Sequence, residues 1–425
     1  MIFSDAHSGA SVCTPTRYGL MTGRYSWRTW LQELVVKGYD DNLITEERDN
    51  VAKLLSRQGY HTAIIGKWHL NFNYIDPKTN KTLPFSKRKQ LPPVGARIPD
   101  GPVARGFDYY HGIHHAGSMK SIIENDRVIL QEDEVNFLPR CQKHAVDYIN
   151  QRAKDDKPFF LYLPLGSPHA PIVPTKEWVG KSGISRHADF VMQTDDTICQ
   201  IQDVLEKNGL SENTVIIYSS DNGTSRGANI PEMQAKGHYP SGQFRGSKAD
   251  LWDGGHRIPF IIKWPGVTEA GTCTNQTICL TDFFATLADY FDEDIPAGVA
   301  EDSVSFFPAL KGEAVEQEAR VGIVHHSISG HFGYRKGKWK LLLARGSGGW
   351  SSPNELKSKK EIEGQLYDME NDPRETTNLY QQKPEIVAEL LSQLEKDVYS
   401  GRSTLGGESK NDPEAKIVLW KSGRD

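Results

Sequence analysis

The chain has 425 residues, 37% of them hydrophobic and 25% charged, with a formal net charge of −5 and a sequence pI near 6.3. Those figures exclude a disordered chain and a single small domain, and suit one large α/β domain with a smaller one. So weak a field argues against a nucleic-acid partner, which calls for clustered Lys and Arg, and no apolar run reaches the ~18 to 20 residues that span a bilayer.

The opening Met1-Ile2-Phe3-Ser4-Asp5 lacks the charged head and long apolar stretch of a signal peptide. Cys13-Thr14-Pro15-Thr16-Arg17 follows. Pro15 suits the first turn of a helix, where its missing N–H costs nothing. That makes Cys13 or Thr14 the cap of a helix running through Leu20 and Met21. A reactive group at Cys13 would then sit by a positive helix end, where an anion is welcome. Alone, the motif reads equally well as a small buried Cys before a helix.

Residues 62–65 read as a strand leading into Gly66. Residues 71–106 are rich in Pro, Gly and Lys and have little periodicity, which predicts a long surface excursion and a candidate for substrate selection. The basic cluster Lys87-Arg88-Lys89 within it reads as a solvated loop tip. Residues 159–165 form a buried strand ending at Ser167-Pro168-His169. In residues 186–207, Phe190, Val191, Thr194, Ile198, Ile201 and Leu205 share one helical side, and Asn208-Gly209 caps the end. Residues 214–218 are a β-branched strand running into Asp221-Asn222-Gly223, and residues 259–264 are another strand, stopped by Pro265-Gly266.

This alternation predicts a large, mostly parallel sheet sandwiched by helices. In such sheets chemistry gathers beyond the carboxyl ends of the strands, where the Gly66, Ser167 and Asp221 motifs lie. The texture changes around residues 296–320. Short strands at 321–326, 332–335, 339–344 and 365–369, then an amphipathic helix at 384–399, predict a small domain with an antiparallel sheet. The expected division is a catalytic α/β domain at 1–318, a small α+β domain at 319–400 and a polar, irregular tail at 401–425. The cysteines other than Cys13 are Cys141, Cys199, Cys273 and Cys279; the last two are close enough for a small disulfide loop, and free thiols fit equally well.

Five motifs occur in order. Cys13-Thr14-Pro15-Thr16-Arg17, with Leu20-Met21-Thr22-Gly23-Arg24, resembles the signature of type I sulfatases, the formylglycine-dependent enzymes of the alkaline phosphatase superfamily. Gly66-Lys67-Trp68-His69, Ser167-Pro168-His169, Ser220-Asp221-Asn222-Gly223, and Gly246-Ser247-Lys248 with Trp252-Asp253-Gly254-Gly255 resemble the family's remaining motifs. Leu366-Tyr367-Asp368, Asp372-Pro373 and Asn378-Leu379 resemble its C-terminal signature. Singly each has a plain structural reading: a satisfied histidine, a strand-ending Asn-Gly turn, a surface lysine. In order, over residues 3 to about 400, they are far more specific.

The resemblance implies an arylsulfatase-like hydrolase of sulfate esters. Cys13 would be oxidised by a formylglycine-generating enzyme to formylglycine (3-oxoalanine), whose hydrate is the nucleophile. Lys67, His169 and Lys248 would contact the sulfate. Arg17 would hold one hydroxyl of the hydrate and balance charge near the metal, and His69 would hydrogen-bond the other. Asp221, Asn222 and the modified Cys13 would ligate a divalent cation; hard oxygen donors suit Ca²⁺, with Mg²⁺ as the alternative. His169, with or without Lys248, would protonate the leaving alcohol, and His69 would take a proton as sulfate departs. His111, His114, His115, His325 and His326 match no family position and are loop or pocket candidates.

Family members open with a strand ending in an Asp-Asp pair that supplies two further metal ligands. Only a dozen residues precede Cys13, and Asp5 matches a non-ligand position. The expectation is therefore a longer natural protein that carries this strand and an export signal to the periplasm or outside the cell. The substrate would be a sulfated small molecule or, as for many bacterial relatives, a sulfated glycan. Two other readings stay open: a phosphate or phosphonate ester hydrolase of the same superfamily, and an inactive, truncated sulfoglycan-binding homologue.

Overall fold

The computed structural model describes residues 1–84, 86, 90–313, 320–355 and 363–421. In chain order the first elements are β1 (Ile2–Phe3), β2 (Ala6–His7), α1 (Cys13–Thr22), α2 (Val51–Arg57), β3 (His61–Lys67), β4 (Tyr109–Ile113), β5 (Ser121–Glu124) and β6 (Arg127–Gln131). Then come α3 (Phe137–Arg152), β7 (Phe159–Tyr162), α4 (Arg186–Lys207), β8 (Ile216–Ser219), α5 (Ile230–Ala235), α6 (Asp253–His256) and β9 (Phe260–Lys263). The last are β10 (Cys273–Thr274), β11 (Ile278–Cys279), α7 (Phe283–Tyr290), α8 (Phe307–Leu310), β12 (Ile323–His326), β13 (Phe332–Lys336), β14 (Trp339–Leu342), β15 (Gln365–Asp368) and α9 (Pro384–Tyr399). The Lys87-Arg88-Lys89 cluster and the expected boundary at 318/319 lie outside the described residues. No helix among the described residues is long and apolar enough to cross a membrane.

The chain folds as two compact units. The first comprises residues 1–35, 215–226 and 239–425. It holds a sheet of order β10-β1-β9-β8, the short pair β11-β2, and the antiparallel sheet β12-β13-β14-β15. Phe3, Ile258, Phe260, Ile262, Trp264 and Phe306 form one of its cores. A second core lies under the antiparallel sheet, where Val324, Tyr334, Leu341 and Leu366 meet Val387, Leu390, Leu394 and Val398 of α9. Residues 401–421 carry no helix or strand. They nevertheless pack: Leu419 is buried in this second core, because Ile417, Leu419 and Trp420 offer apolar side chains within an otherwise polar stretch.

The second unit comprises residues 36–214 and 227–238. Its sheet has the order β6-β5-β4-β3-β7. Ala63 and Ile65 of β3 pack with Ile113, Ile122 and, from α3, Phe137, Cys141 and Ala145. The Ser185 side chain accepts the Ala188 N–H and caps α4.

The sheet expected to be mostly parallel is mixed. β3 pairs in parallel with β4 and β7, and β1 with β10, while β4-β5, β5-β6, β1-β9 and β8-β9 are antiparallel. The short turn between β5 and β6 allows only an antiparallel return. All five cysteines are free thiols, so Cys273 and Cys279 do not close a loop.

Candidate active site

Within the first unit, Cys13 is the first residue of α1 and is 3% exposed. The cap is Val12 rather than Cys13 or Thr14, and its extended backbone brings Pro15 into the first turn. The start of a helix carries a partial positive charge, and α1 presents that end at Cys13. Lys248 Nζ lies 3.9 Å from Cys13 Sγ. Two backbone hydrogen bonds fix the lysine's loop: Lys248 N–H donates to Thr224 at 3.0 Å, and Ala249 N–H donates to Ser11 at 2.8 Å. One turn along α1 from Cys13, Arg17 donates from Nε to Asp221 Oδ2 at 2.9 Å and brings NH2 to the same oxygen.

Asp221 and Asn222 follow β8, in the strand-end position the sequence predicts. A Cβ at Gly223 would lie 1.9 Å from the Gly254 carbonyl, so only glycine lets this loop meet the α6 segment. Asn222 Nδ2 donates to the Gly223 carbonyl, while its Oδ1 is buried with no hydrogen-bond partner. An orphaned buried oxygen beside a carboxylate is what a hard divalent cation satisfies. Asp221 and Asn222 therefore fit such an ion.

Within the second unit, Lys67 ends β3 and is 3% exposed. A Cβ at the preceding Gly66 would lie 2.2 Å from the Pro164 carbonyl, and Lys67 N–H donates to that carbonyl at 2.7 Å. His69 has a left-handed backbone (φ 59°). Its N–H donates to the His114 carbonyl at 2.7 Å, and its Nε2 donates to Val36 O at 3.1 Å. His169 follows β7 and is half-buried. Its Nδ1 donates to the Ala170 carbonyl at 2.6 Å.

Two residues left without a role by the sequence join this second group. His115 stacks on His69 with ring centroids 5.6 Å apart, and His114 meets His69 at 6.1 Å. Burial, and then the charge of Lys67, pushes His115 down to about 4. Burial, with His115 and Lys67 adding to it, holds His114 well below the usual histidine range. Both are therefore neutral at neutral pH. Their signal was the strand-end rule: β4 runs parallel to β3, with Lys67 opposite Ile113, so the residues after both strands emerge together. His111, His325 and His326 stand elsewhere, the first in β4 and the others in β12.

Residues 1–293 match the family profile described as Sulfatase, and residues 247–402 match the N-sulphoglucosamine sulphohydrolase C-terminal profile. The chain is 29% identical, over 92% of its length, to an N-acetylgalactosamine-6-O-sulfatase of Bacteroides thetaiotaomicron, and covers 85% of that protein. It is 30% identical, over 72% of its length, to an arylsulfatase of Hemicentrotus pulcherrimus, of which it spans 55%. A solved structure from work on glycosaminoglycan metabolism by Bacteroides thetaiotaomicron superposes with a TM-score of 0.81 at 25% identity, covering 93% of this chain and 91% of that one. With a match over residues 1–293 and the motif geometry above, the chain belongs to the sulfatase family, the sulfuric ester hydrolases of alkaline phosphatase-like fold.

Proposed function

We propose that this chain hydrolyses sulfate esters on a sulfated glycan through a catalytic group made from Cys13. The observation that carries the reading is the surroundings of Cys13: a buried side chain at a helix N-terminus, Lys248 Nζ at 3.9 Å, and the Arg17–Asp221 pair one turn on. A formylglycine hydrate at position 13, produced by a formylglycine-generating enzyme, would supply the attacking oxygen. Asp221 and Asn222 would hold a divalent cation, Ca²⁺ or alternatively Mg²⁺, whose charge polarises the reacting groups.

The chain's own residues then have distinct tasks. Lys248, held by its loop and facing position 13, neutralises sulfate charge. Arg17 pairs with Asp221 and orients its carboxylate. Lys67 is the second sulfate-binding cation. His169 Nδ1 already gives its proton to a carbonyl, so a proton passed to the leaving alcohol must come from Nε2 of the doubly protonated ring. His69 Nε2 is committed to Val36 O, which leaves Nδ1 as the atom that accepts a proton.

The first substrate to try is a 6-O-sulfated N-acetylgalactosamine, after the name of the Bacteroides thetaiotaomicron relative. Such glycans lie outside the cytoplasm, and the same reading places the enzyme in the periplasm or outside the cell. Sulfate release should be measured for wild type and Cys13→Ala against matched sulfate and phosphate esters, with peptide mass spectrometry of position 13. The variant should keep its melting temperature and lose at least about 10³-fold in turnover. Undiminished sulfate release by Cys13→Ala would end the reading, and preference for the phosphate ester would transfer it to phosphoryl chemistry.

A further inference from the structure

Three histidines given no role above converge inside the first unit. His7 ends β2, His256 ends α6 and His325 lies in β12, and each is at most 1% exposed. One ring nitrogen of each lies within 4.8 Å of the other two. The remaining nitrogen of every ring faces an oxygen that can only accept a hydrogen bond. His7 Nε2 is 3.0 Å from Asp5 Oδ1, His256 Nε2 is 2.9 Å from the Leu251 carbonyl, and His325 Nδ1 is 3.4 Å from the Ser8 carbonyl. The same Asp5 Oδ1 lies 3.0 Å from Arg257 NH1, and Asp5 Oδ2 accepts the Thr277 hydroxyl at 2.7 Å, so both oxygens act as acceptors.

Those partners fix the tautomers, because a carbonyl or carboxylate demands the N–H. The inner nitrogens, His7 Nδ1, His256 Nδ1 and His325 Nε2, are then lone pairs. The two Nδ1 atoms face each other at 3.0 Å, and His325 Nε2 is buried with no partner. Facing lone pairs repel unless a positive charge lies with them. Imidazole ligands whose far N–H groups bind a carboxylate or backbone carbonyls are the outer-shell pattern of a metal site.

We propose that His7, His256 and His325 bind one late first-row divalent ion, zinc first, as a second and structural metal site. Three imidazoles select such an ion over Ca²⁺ and Mg²⁺, so the two sites discriminate by ligand chemistry. The site ties together the segment before Cys13, the segment after Gly255 and the antiparallel sheet, so that binding energy becomes folding energy. His256 and His325 stack with centroids 3.8 Å apart. Loading therefore requires one ring to turn out of that stack to aim its nitrogen. The proposal stands independently of the sulfatase reading.

The test uses the full chain without a polyhistidine tag, with exposed Cys199 and Cys273 alkylated, exposed to zinc, dialysed and measured by plasma mass spectrometry. The expected result is about one equivalent of zinc per chain. It should be retained in Asn222→Ala and fall below about a tenth of an equivalent in His325→Gln. Should the variant fail to fold, metal-depleted wild type reloaded with Co²⁺ gives the second readout, intense visible bands of a low-coordinate histidine site. Folded wild type that holds less than about a tenth of an equivalent, or reloads without those bands, overturns the proposal and assigns the 3.0 Å contact to a shared proton.

Discussion

Arg17 and Asp221 carry opposite charges where water screens them poorly, their side chains being 7% and 24% exposed. Breaking such a pair costs between the ~1 kcal/mol of an exposed pair and the ~3–5 kcal/mol of a fully buried one. Asn222 beside it differs, because its Oδ1 contributes nothing to the protein's own hydrogen bonding. Asn222→Ala should therefore change stability to urea by less than about 1 kcal/mol. The Ca²⁺ concentration giving half-maximal sulfate release should rise at least about 10-fold. A large stability loss with unchanged Ca²⁺ demand would make that oxygen structural. At this scale the sequence expected Cys13 at the start of a helix and Asp221 beyond the end of a strand, and both stand there. It left His114 and His115 as loop or pocket candidates, because only the parallel pairing of β3 with β4 sets them beside His69.

Among the elements, α4 and α9 were readable over their whole length, since each buries one face and the 3.6-residue period survives in the sequence. β4 to β6 were not, because short strands that follow an irregular excursion carry too few residues to establish a period of two. α9 also buries a charge that the pattern does not betray. Asp397 accepts hydrogen bonds from Tyr334 Oη and Gln393 Nε2, both at 2.8 Å. Burial nevertheless prevails and raises it to about 6. Between pH ~4 and ~6 the folded chain keeps a proton that the unfolded chain has released, so stability falls as pH rises through that window and is level above it. The full effect is at most about 3 kcal/mol. Asp397→Asn, which mimics the protonated acid, should flatten the slope of melting temperature against pH between about 4 and 6. An unchanged slope would place the titration elsewhere.

At the scale of the molecule, the first unit is assembled from stretches far apart in the chain, and one buried cluster shows how. Arg28 donates to Asp302 from Nε and NH2, both at 2.7 Å, with both side chains 0% exposed. The same guanidinium reaches the Asp397 carbonyl at the end of α9 and Asn411 Oδ1 in the tail. It also lies 4.3 Å over the ring of Trp27, which packs with Tyr25 into the core of the antiparallel sheet. A sequence reading that assigns the sheet its own strands and helix finds Val324, Leu341 and Leu390 and misses Trp27, which lies about 300 positions earlier. Only the long-range closure of the chain supplies it, and local periodicity carries no record of closure. Asp302→Asn leaves the Arg28 charge buried without its counter-charge, at a cost of about 3–5 kcal/mol. Trp27→Ala removes a fully buried aromatic at about 3–5 kcal/mol. Because both residues touch Arg28, their effects should not add. Urea unfolding of the two single variants and the double variant would give a double variant milder than the summed losses, with a coupling of about 0.5–3 kcal/mol. Simple additivity would mean that the N-terminal segment and the C-terminal sheet are held together by contacts other than this cluster.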